Sequence, residues 1–408
     1  METKQRTSLF DVICLVKYTR DKGPIIIEKN PSTFELNQQE VIITSCSFPE
    51  NSKQPTAIFT FSNDFSLCYS YSFIYENENY SVTICSHFLI SDCYLKLLET
   101  VKEKMENQTP LEKFHEVSDL LLKWKVKQNK FFAYYAGSEE IGQVNFNAKA
   151  NFDSFHPNEW IDKKTDMFNL WKNLICGKNI LVFGESPSIV SNCVLSILSL
   201  LAPMKYTDKF LPFTRFGDPR FAELINGSKK WKVVGTTNDL VLSRCEQFNL
   251  IIKLNGNKKP YGSSKSKEDE IRKKESSLLG KLVKLIDYKI RKDPYFDLLM
   301  KPISKDDIIK CGIKCKGTEL SFDDIYNFIQ LDSFTNWRKN IVFRSSLRES
   351  FLSISPETVI NETDPKILKT MLTHLNNLKN TYKDDVHYFA VLSKHAKIIM
   401  NKLGENEK

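Results

Sequence analysis

NILVFGESPSIVSNCVLSILSLLAPMKY, residues 179–206, is the stretch whose reading decides the fold. Ile180, Leu181, Val182 and Phe183 form a short apolar run closed by Gly184, the pattern of a buried strand and a tight turn. Ser186 stands where a helix N-cap belongs. Pro187 follows at the first helical position, where a missing N–H costs nothing. Ile189, Val190, Cys193, Val194, Ile197, Leu198 and Leu201 then recur at helical spacing until Pro203 stops them. Strand, turn and apolar helix make half of a βαβ unit, so an α/β core is expected in mid-chain.

Working outward, the alternation continues downstream. Residues 210–216 read as a strand that carries Pro212, hence an edge or bulged strand. Asp218 and Pro219 open a short helix through Phe221, Leu224 and Ile225 that Asn226 and Gly227 close. Residues 231–235 are a strand, Thr237 or Asn238 caps a helix over 239–248, and 250–254 is the next strand. Beyond a loop at 256–266 the pattern is helical throughout, over 271–292, 322–331, 334–352, 366–378 and 386–403. Upstream, residues 167–176 form a lead-in helix ended by Gly177. The segment 129–164, rich in Asn, Asp, Gly and Pro with one apolar run at 131–135, reads as an inter-domain connection.

The first hundred residues alternate as antiparallel strands. These are 9–18, 24–28, 57–61, 66–75 and 80–86, with a polar hairpin at 76–79 and a turn at Thr19, Asp21 and Gly23. A helix over 91–105 with Ser91 or Asp92 at its cap follows, then another from Pro110 that aligns Phe114, Val117, Leu121 and Trp124.

Composition bounds the class. A chain of 408 residues, 41% apolar and 12% aromatic, is globular and long enough for two or three domains. It starts METKQRTSLFD, without an apolar signal segment, and its longest apolar helix is too short and serine-rich to span a bilayer. The ten cysteines are therefore expected reduced and mostly buried in an intracellular protein. Residues 253–292 hold 13 Lys/Arg against 5 Asp/Glu, a surplus equal to the net +8 of the whole chain. Two readings stand for it: a solvated loop and helix face, or a surface for anionic membrane at Lys258, Lys259, Lys273 and Lys274. Aromatics are not interleaved there, so no nucleic acid is expected.

Conventional chemistry finds little support. Gly184–Glu185–Ser186–Pro187–Ser188 begins like a nucleophile elbow, but Ser188 replaces the final glycine and Pro187 removes an N–H that an oxyanion hole needs. The loop has one glycine and no GK[ST], so it is not a phosphate cradle. Cys311 and Cys315 are half a metal site, with no second pair at zinc spacing. The six histidines look isolated. No catalytic residue, metal or cofactor is expected.

The strand–SPS–helix–AP–MKY block, FLPFTRFGDPRFAEL, VVGTTNDL and IIKLNG together resemble the central module of the DENN-domain proteins. The subgroup they resemble most is that of DENN domain-containing protein 6. The matching positions are Trp171, Leu174, Ser186, Pro187, Ser188, Pro203, Lys205, Tyr206, Phe210, Pro212, Asp218, Phe221, Glu223, Gly235, Thr237 and Asn238. SVTICS at 81–86 resembles the longin-like part of that family, and Trp337 within FTNWRKN its downstream part. Leu211 stands where the family pattern has a basic residue, and Gly217 where it has a bulkier one, so a partner contact there differs.

The resemblance implies an α/β and α+β architecture. Its parts are a longin-like antiparallel sheet with helices over 1–150, a central α/β DENN module over 151–260 and an all-helical region over 261–408. It implies guanine-nucleotide exchange on a Rab-family GTPase in trafficking, by a cytoplasmic protein peripheral on endosomal or secretory-pathway membranes. Exchange needs only a surface that holds the switch loops open, because whatever weakens nucleotide binding is weakened equally by nucleotide. The expected contacts are Lys205, Tyr206, Phe216, Asp218 and Arg220, with Arg20 and Lys22 on the first hairpin. The alternatives are a longin–DENN scaffold or a GTPase-binding subunit without exchange. An activating subunit that lends an arginine finger is disfavoured, since no arginine lies between Arg20 and Arg215. A serine hydrolase would need a His–Asp pair beside Ser186.

Overall fold

The computed structural model describes residues 9–50, 55–63, 65–127, 130–135, 139–145, 152, 155–161, 166–244, 246–254, 265–313, 320–341 and 343–406. For 125–127, 130–135, 139–145, 158 and the ends of two helices only the backbone is described. The chain forms two compact units, Met1–Lys273 and Lys274–Lys408.

The first unit opens with strands β1 (Val12–Thr19) and β2 (Gly23–Asn30), whose turn places Gly23 at φ 73°. Helix α1 (Gln39–Cys46) follows, then β3 (Ala57–Ser62), β4 (Leu67–Tyr75) and β5 (Glu78–Ser86). The strands make one antiparallel sheet in the order β2-β1-β5-β4-β3. Glu76 and Asn77 both take positive φ, 49° and 65°, the two-residue turn whose twist matches a hairpin. Helices α2 (Ser91–Lys104) and α3 (Pro110–Lys123) cover one face. There the Tyr69 and Tyr94 rings meet tilted at 4.7 Å, and Lys113 is buried over the Phe73 ring at 4.3 Å.

Strands β6 (Lys125–Lys127), β7 (Lys130–Tyr135) and β8 (Glu139–Asn145) form a separate antiparallel sheet. The composition of 129–164 concealed these strands, because polar and glycine-bearing stretches such as EEIGQVN carry little β signal of their own.

The parallel layer is built as the central stretch predicts. Helix α4 (Met167–Ile175) is capped by Asp166 and stopped by Gly177 at φ 64°; β9 (Ile180–Phe183) and α5 (Pro187–Ser199) follow. Next come β10 (Phe210–Thr214), α6 (Phe221–Ile225), β11 (Val233–Thr236), α7 (Asp239–Ser243) and β12 (Leu250–Lys253). The sheet order is β10-β11-β9-β12, every pair parallel. β10 lies at the edge with its register interrupted between Leu211 and Thr214, so Pro212 marks both an edge and an irregularity. Gly235 is required by close approach. A Cβ there would sit 2.2 Å from the Pro212 carbonyl oxygen and 2.7 Å from a Val190 methyl.

The two sheets meet directly. Helix α5 and strand β10 pack against β3, where Phe59 meets Phe213 edge-to-face at 5.3 Å. The buried Thr60 N–H donates to Ser191 Oγ at 3.2 Å, and Ser62 Oγ donates to the Phe210 carbonyl at 3.3 Å.

Helix α8 (Lys265–Lys292) contains the boundary between the units. The second unit continues with α9 (Tyr295–Leu298), α10 (Lys305–Lys310), α11 (Phe322–Ile329) and α12 (Asp332–Asn340). It ends with α13 (Arg344–Ser353), α14 (Pro356–Val359), α15 (Pro365–Thr381) and α16 (Val386–Asn406). Its core holds Tyr295, Phe351, Leu368, Leu375, Tyr388 and Leu392. The single helix expected over 334–352 is two, α12 and α13.

Three helix starts also differ in detail. The N-cap of α2 is Ile90, and the Ser91 hydroxyl instead pairs with Tyr69 Oη at 2.8 Å. Ser186 occupies the N-cap position of α5, yet its side chain makes no cap hydrogen bond. Thr109 and Glu112 form a full capping box at α3, a T-x-x-E signal present in the sequence and overlooked. Among the described residues no helix is long and apolar enough to cross a membrane. Cys14, Cys46, Cys68, Cys85, Cys93 and Cys193 are buried free thiols.

Two measurements check this architecture. Gly235→Ala is expected to lower unfolding stability by about 3 kcal/mol, since backbone rather than a side-chain tip must yield. His395 is buried, with Nδ1 3.0 Å from Tyr295 Oη, and burial pushes its imidazole from 6.5 down to about 4. The unfolded chain then binds more protons between those values. The contribution of neutral, buried His395 to the second unit should be complete above about pH 6.5 and be lost as the pH falls through about 4. Urea melts across that window should show the slope, and His395→Leu should flatten it.

Candidate functional site

The carboxyl ends of parallel strands are where open α/β sheets usually present their binding crevice. Here those ends meet the loop between α1 and β3. Glu50 Oε1 accepts from the Phe216 N–H after β10 at 3.1 Å and from Asn238 Nδ2 after β11 at 2.6 Å. Arg215 reaches the same loop, donating from Nη1 to the Phe48 carbonyl at 3.0 Å. Tyr18, at the end of β1, meets Phe48 edge-to-face at 6.1 Å. A Cβ on Gly217 would stand 3.5 Å from Ser45 Cβ on α1, so the loop after β10 lies beside that helix. Around this junction Phe216 is 69% exposed, Val41 56% and Tyr18 44%. Three segments distant in sequence therefore hold apolar side chains out to solvent at one edge.

Asp218 and Arg220 shape the loop from beneath. Asp218 Oδ1 accepts from Arg220 N at 2.9 Å and Nε at 2.8 Å, while Oδ2 accepts from Nη2 at 2.7 Å and Thr214 Oγ1 at 3.0 Å. Both residues are buried, 3% and 5% exposed. Burial alone raises the Asp218 carboxyl pKa, but the hydrogen bonds and charge of Arg220 outweigh it and hold the group below 3.8. A bidentate buried pair of this kind fixes a turn.

The seven residues expected from the sequence do not form one patch. Phe216 stands exposed at the junction, and Arg20 and Lys22 are exposed on the β1–β2 turn that Tyr18 and Phe48 connect to it. Asp218 and Arg220 lie under the surface. Lys205 is exposed and Tyr206 is 4% exposed with its ring 5.7 Å from Phe210, so both precede β10 while Phe216 follows it. Five residues of strand, about 3.3 Å each, separate the two groups. Val41, Phe48 and Glu50 were missed. Only VIIT at 41–44 carried an apolar signal, and its β-branched residues do not announce a helix.

Of the basic residues, Lys258 and Lys259 lie outside the described residues, Lys273 is exposed on α8 and Lys274 is half-buried. Farther along α8, Arg291 pairs with Asp287 at 3.1 Å and Glu349 at 3.0 Å, and Lys289 pairs with Asp307, so part of the surplus is neutralised locally. Among the described residues no cluster of three His, Cys, Asp or Glu could hold a metal ion. Cys315 lies outside them.

No family model matches the chain. Protein DENND6A of Mus musculus is 28% identical over 95 residues, 23% of this chain and 16% of that protein. Protein DENND6B of Homo sapiens is 27% identical over 92 residues, 22% of this chain and 16% of that protein. DENND6A of Gallus gallus is 27% identical over 93 residues. The likeness is partial and points to a DENN-related family.

Asp218→Asn should cost about 3–5 kcal/mol at neutral pH, because it removes the negative charge that faces the buried Arg220 guanidinium. The native pair contributes fully above pH 3.8 and loses its contribution as the pH falls through the lowered Asp218 value. Thermal melts at pH 7 and pH 3 should therefore show the variant's deficit shrinking in acid.

Proposed function

We propose that the protein is a DENN-type guanine-nucleotide exchange factor for a Rab-family GTPase. In this reading the first unit comprises a longin-like sheet and a DENN α/β layer, and the helical region corresponds to the downstream part of such proteins. The observation that carries the reading is the junction at Glu50. Two sheets packed together hold exposed Phe216, Val41 and Tyr18 at one edge, on a scaffold braced by hydrogen bonds from both sides. Partial likeness to DENND6A and DENND6B supports it.

Exchange by such a surface is linkage rather than covalent chemistry. A GTPase keeps its nucleotide through switch loops ordered by phosphate and Mg²⁺ contacts. If the junction binds those loops only when they are open, it must lower nucleotide affinity by the factor by which nucleotide lowers its own. Phe216 is the natural anchor, since a large exposed aromatic loses most when truncated. Arg20 and Lys22 would speed encounter with an acidic switch surface. The exposed Lys273 on α8 would add about 1 kcal/mol toward an anionic membrane.

Release of a fluorescent guanine nucleotide across a panel of Rab GTPases is the deciding measurement. Acceleration is expected for one or a few members, and Phe216→Ala and Val41→Asp should each cut it at least about tenfold, the effect of removing an interface anchor. Arg20→Glu with Lys22→Glu should mainly slow association at low salt. Binding without accelerated release would remove exchange and leave a scaffold; no binding to any GTPase would end the proposal.

A further inference from the structure

A second concavity lies at the opposite end of β10 from Glu50. Its volume is about 510 Å³, and its walls include Phe65 on the β3–β4 turn, His87 after β5, and Lys209, Lys230 and Trp231 ahead of β10 and β11. Small-ligand sites fall between about 300 and 1,000 Å³.

Side-chain hydrogen bonds order part of its lining. Phe65 is 74% exposed, yet its turn is fixed by Asn63 Oδ1, which accepts from Phe65 N at 2.8 Å and Ser66 N at 2.6 Å. Asn63 Nδ2 is in turn held by Gln39 Oε1 at 3.1 Å. Asp11 grips His87 twice, through its backbone N–H at 2.9 Å and ring Nδ1 at 2.8 Å, which sets the ring's orientation. Lys230 Nζ lies 4.9 Å over the Trp231 ring, with the Arg220 guanidinium 5.6 Å from the same ring. Trp231 is 5% exposed, and its indole Nε1–H has no hydrogen-bond partner. Such a buried orphan donor costs free energy unless something accepts from it. Lys209 and Lys230 are exposed, while the acidic lining residue Asp208 is 8% exposed.

We propose that this concavity binds a small organic phosphate. Its anion sits by Lys209 and Lys230, and its flat apolar body lies on Phe65. Lys209 offers an exposed cation and Lys230 a second, whose exposed pairing with Glu223 is long at 3.5 Å; with the exposed ring of Phe65 beside them, a monophosphate ester matches both kinds of surface. The concavity lies at the other end of β10 from Phe216 and Glu50, so its ligand is tested apart from GTPase binding.

Calorimetric titration of the full chain with phenyl phosphate tests this, with inorganic phosphate and phenol as separate arms. Phenyl phosphate should bind saturably and at least about tenfold tighter than either arm, since a charge-assisted contact and a ring contact each contribute on that scale. Phe65→Ala, and separately Lys209→Gln with Lys230→Gln, should each weaken it about tenfold without moving the melting temperature, because all three side chains are exposed. No saturable binding, or binding indifferent to both variants, overturns the site. Equal binding of inorganic phosphate that Phe65→Ala leaves unchanged overturns the organic ligand.

Discussion

The first unit depends on how its antiparallel sheet ends. An edge strand offers a row of unpaired backbone groups, and β3 at this edge is fully buried along most of its length. A buried N–H without an acceptor would be costly, and Ser191 on α5 supplies the acceptor for Thr60. The apolar side of the same contact is Phe59 on Phe213. Sheet and α/β layer are thus joined by hydrogen bonds as well as by apolar contact, and the loops around the seam inherit fixed positions.

That origin explains the electrostatics. Asp218 and Arg220 are charged and nearly inaccessible, a combination that is tolerated because the two charges face each other through the bidentate contact of Nε and Nη2. Their role is to set the path of the chain between β10 and α6, so that Phe216 faces water while its own N–H is held. Around Phe216 this surface presents apolar side chains to water, and the Asp218–Arg220 pair lies beneath it.

The parallel layer was legible in the sequence because each of its signals is local. Gly177, Pro187, Asn238 and Gly227 act on their own turns, and the 3.6-residue period of α5 needs no partner to be seen. What stayed hidden depends on contacts across the chain. β6 to β8 pair with one another, and α1 is helical despite its β-branched residues, with Ile42 and Ile43 buried. Similarly, the residue types at 218 and 220 pointed to a charged loop. Only the three-dimensional pairing reveals that Asp218 consumes the guanidinium two positions later, while the unremarkable Glu50, 166 residues before Phe216, serves the site.

Glu50 has a mechanical consequence. One carboxylate oxygen serves as the common anchor for the exits of two neighbouring strands, so neither exit can shift without straining the other's tether. A ligand that displaced the Phe48–Glu50 corner would release the loops after β10 and β11 in the same movement. The corner thus behaves as a single latch with two bolts, one for each strand exit.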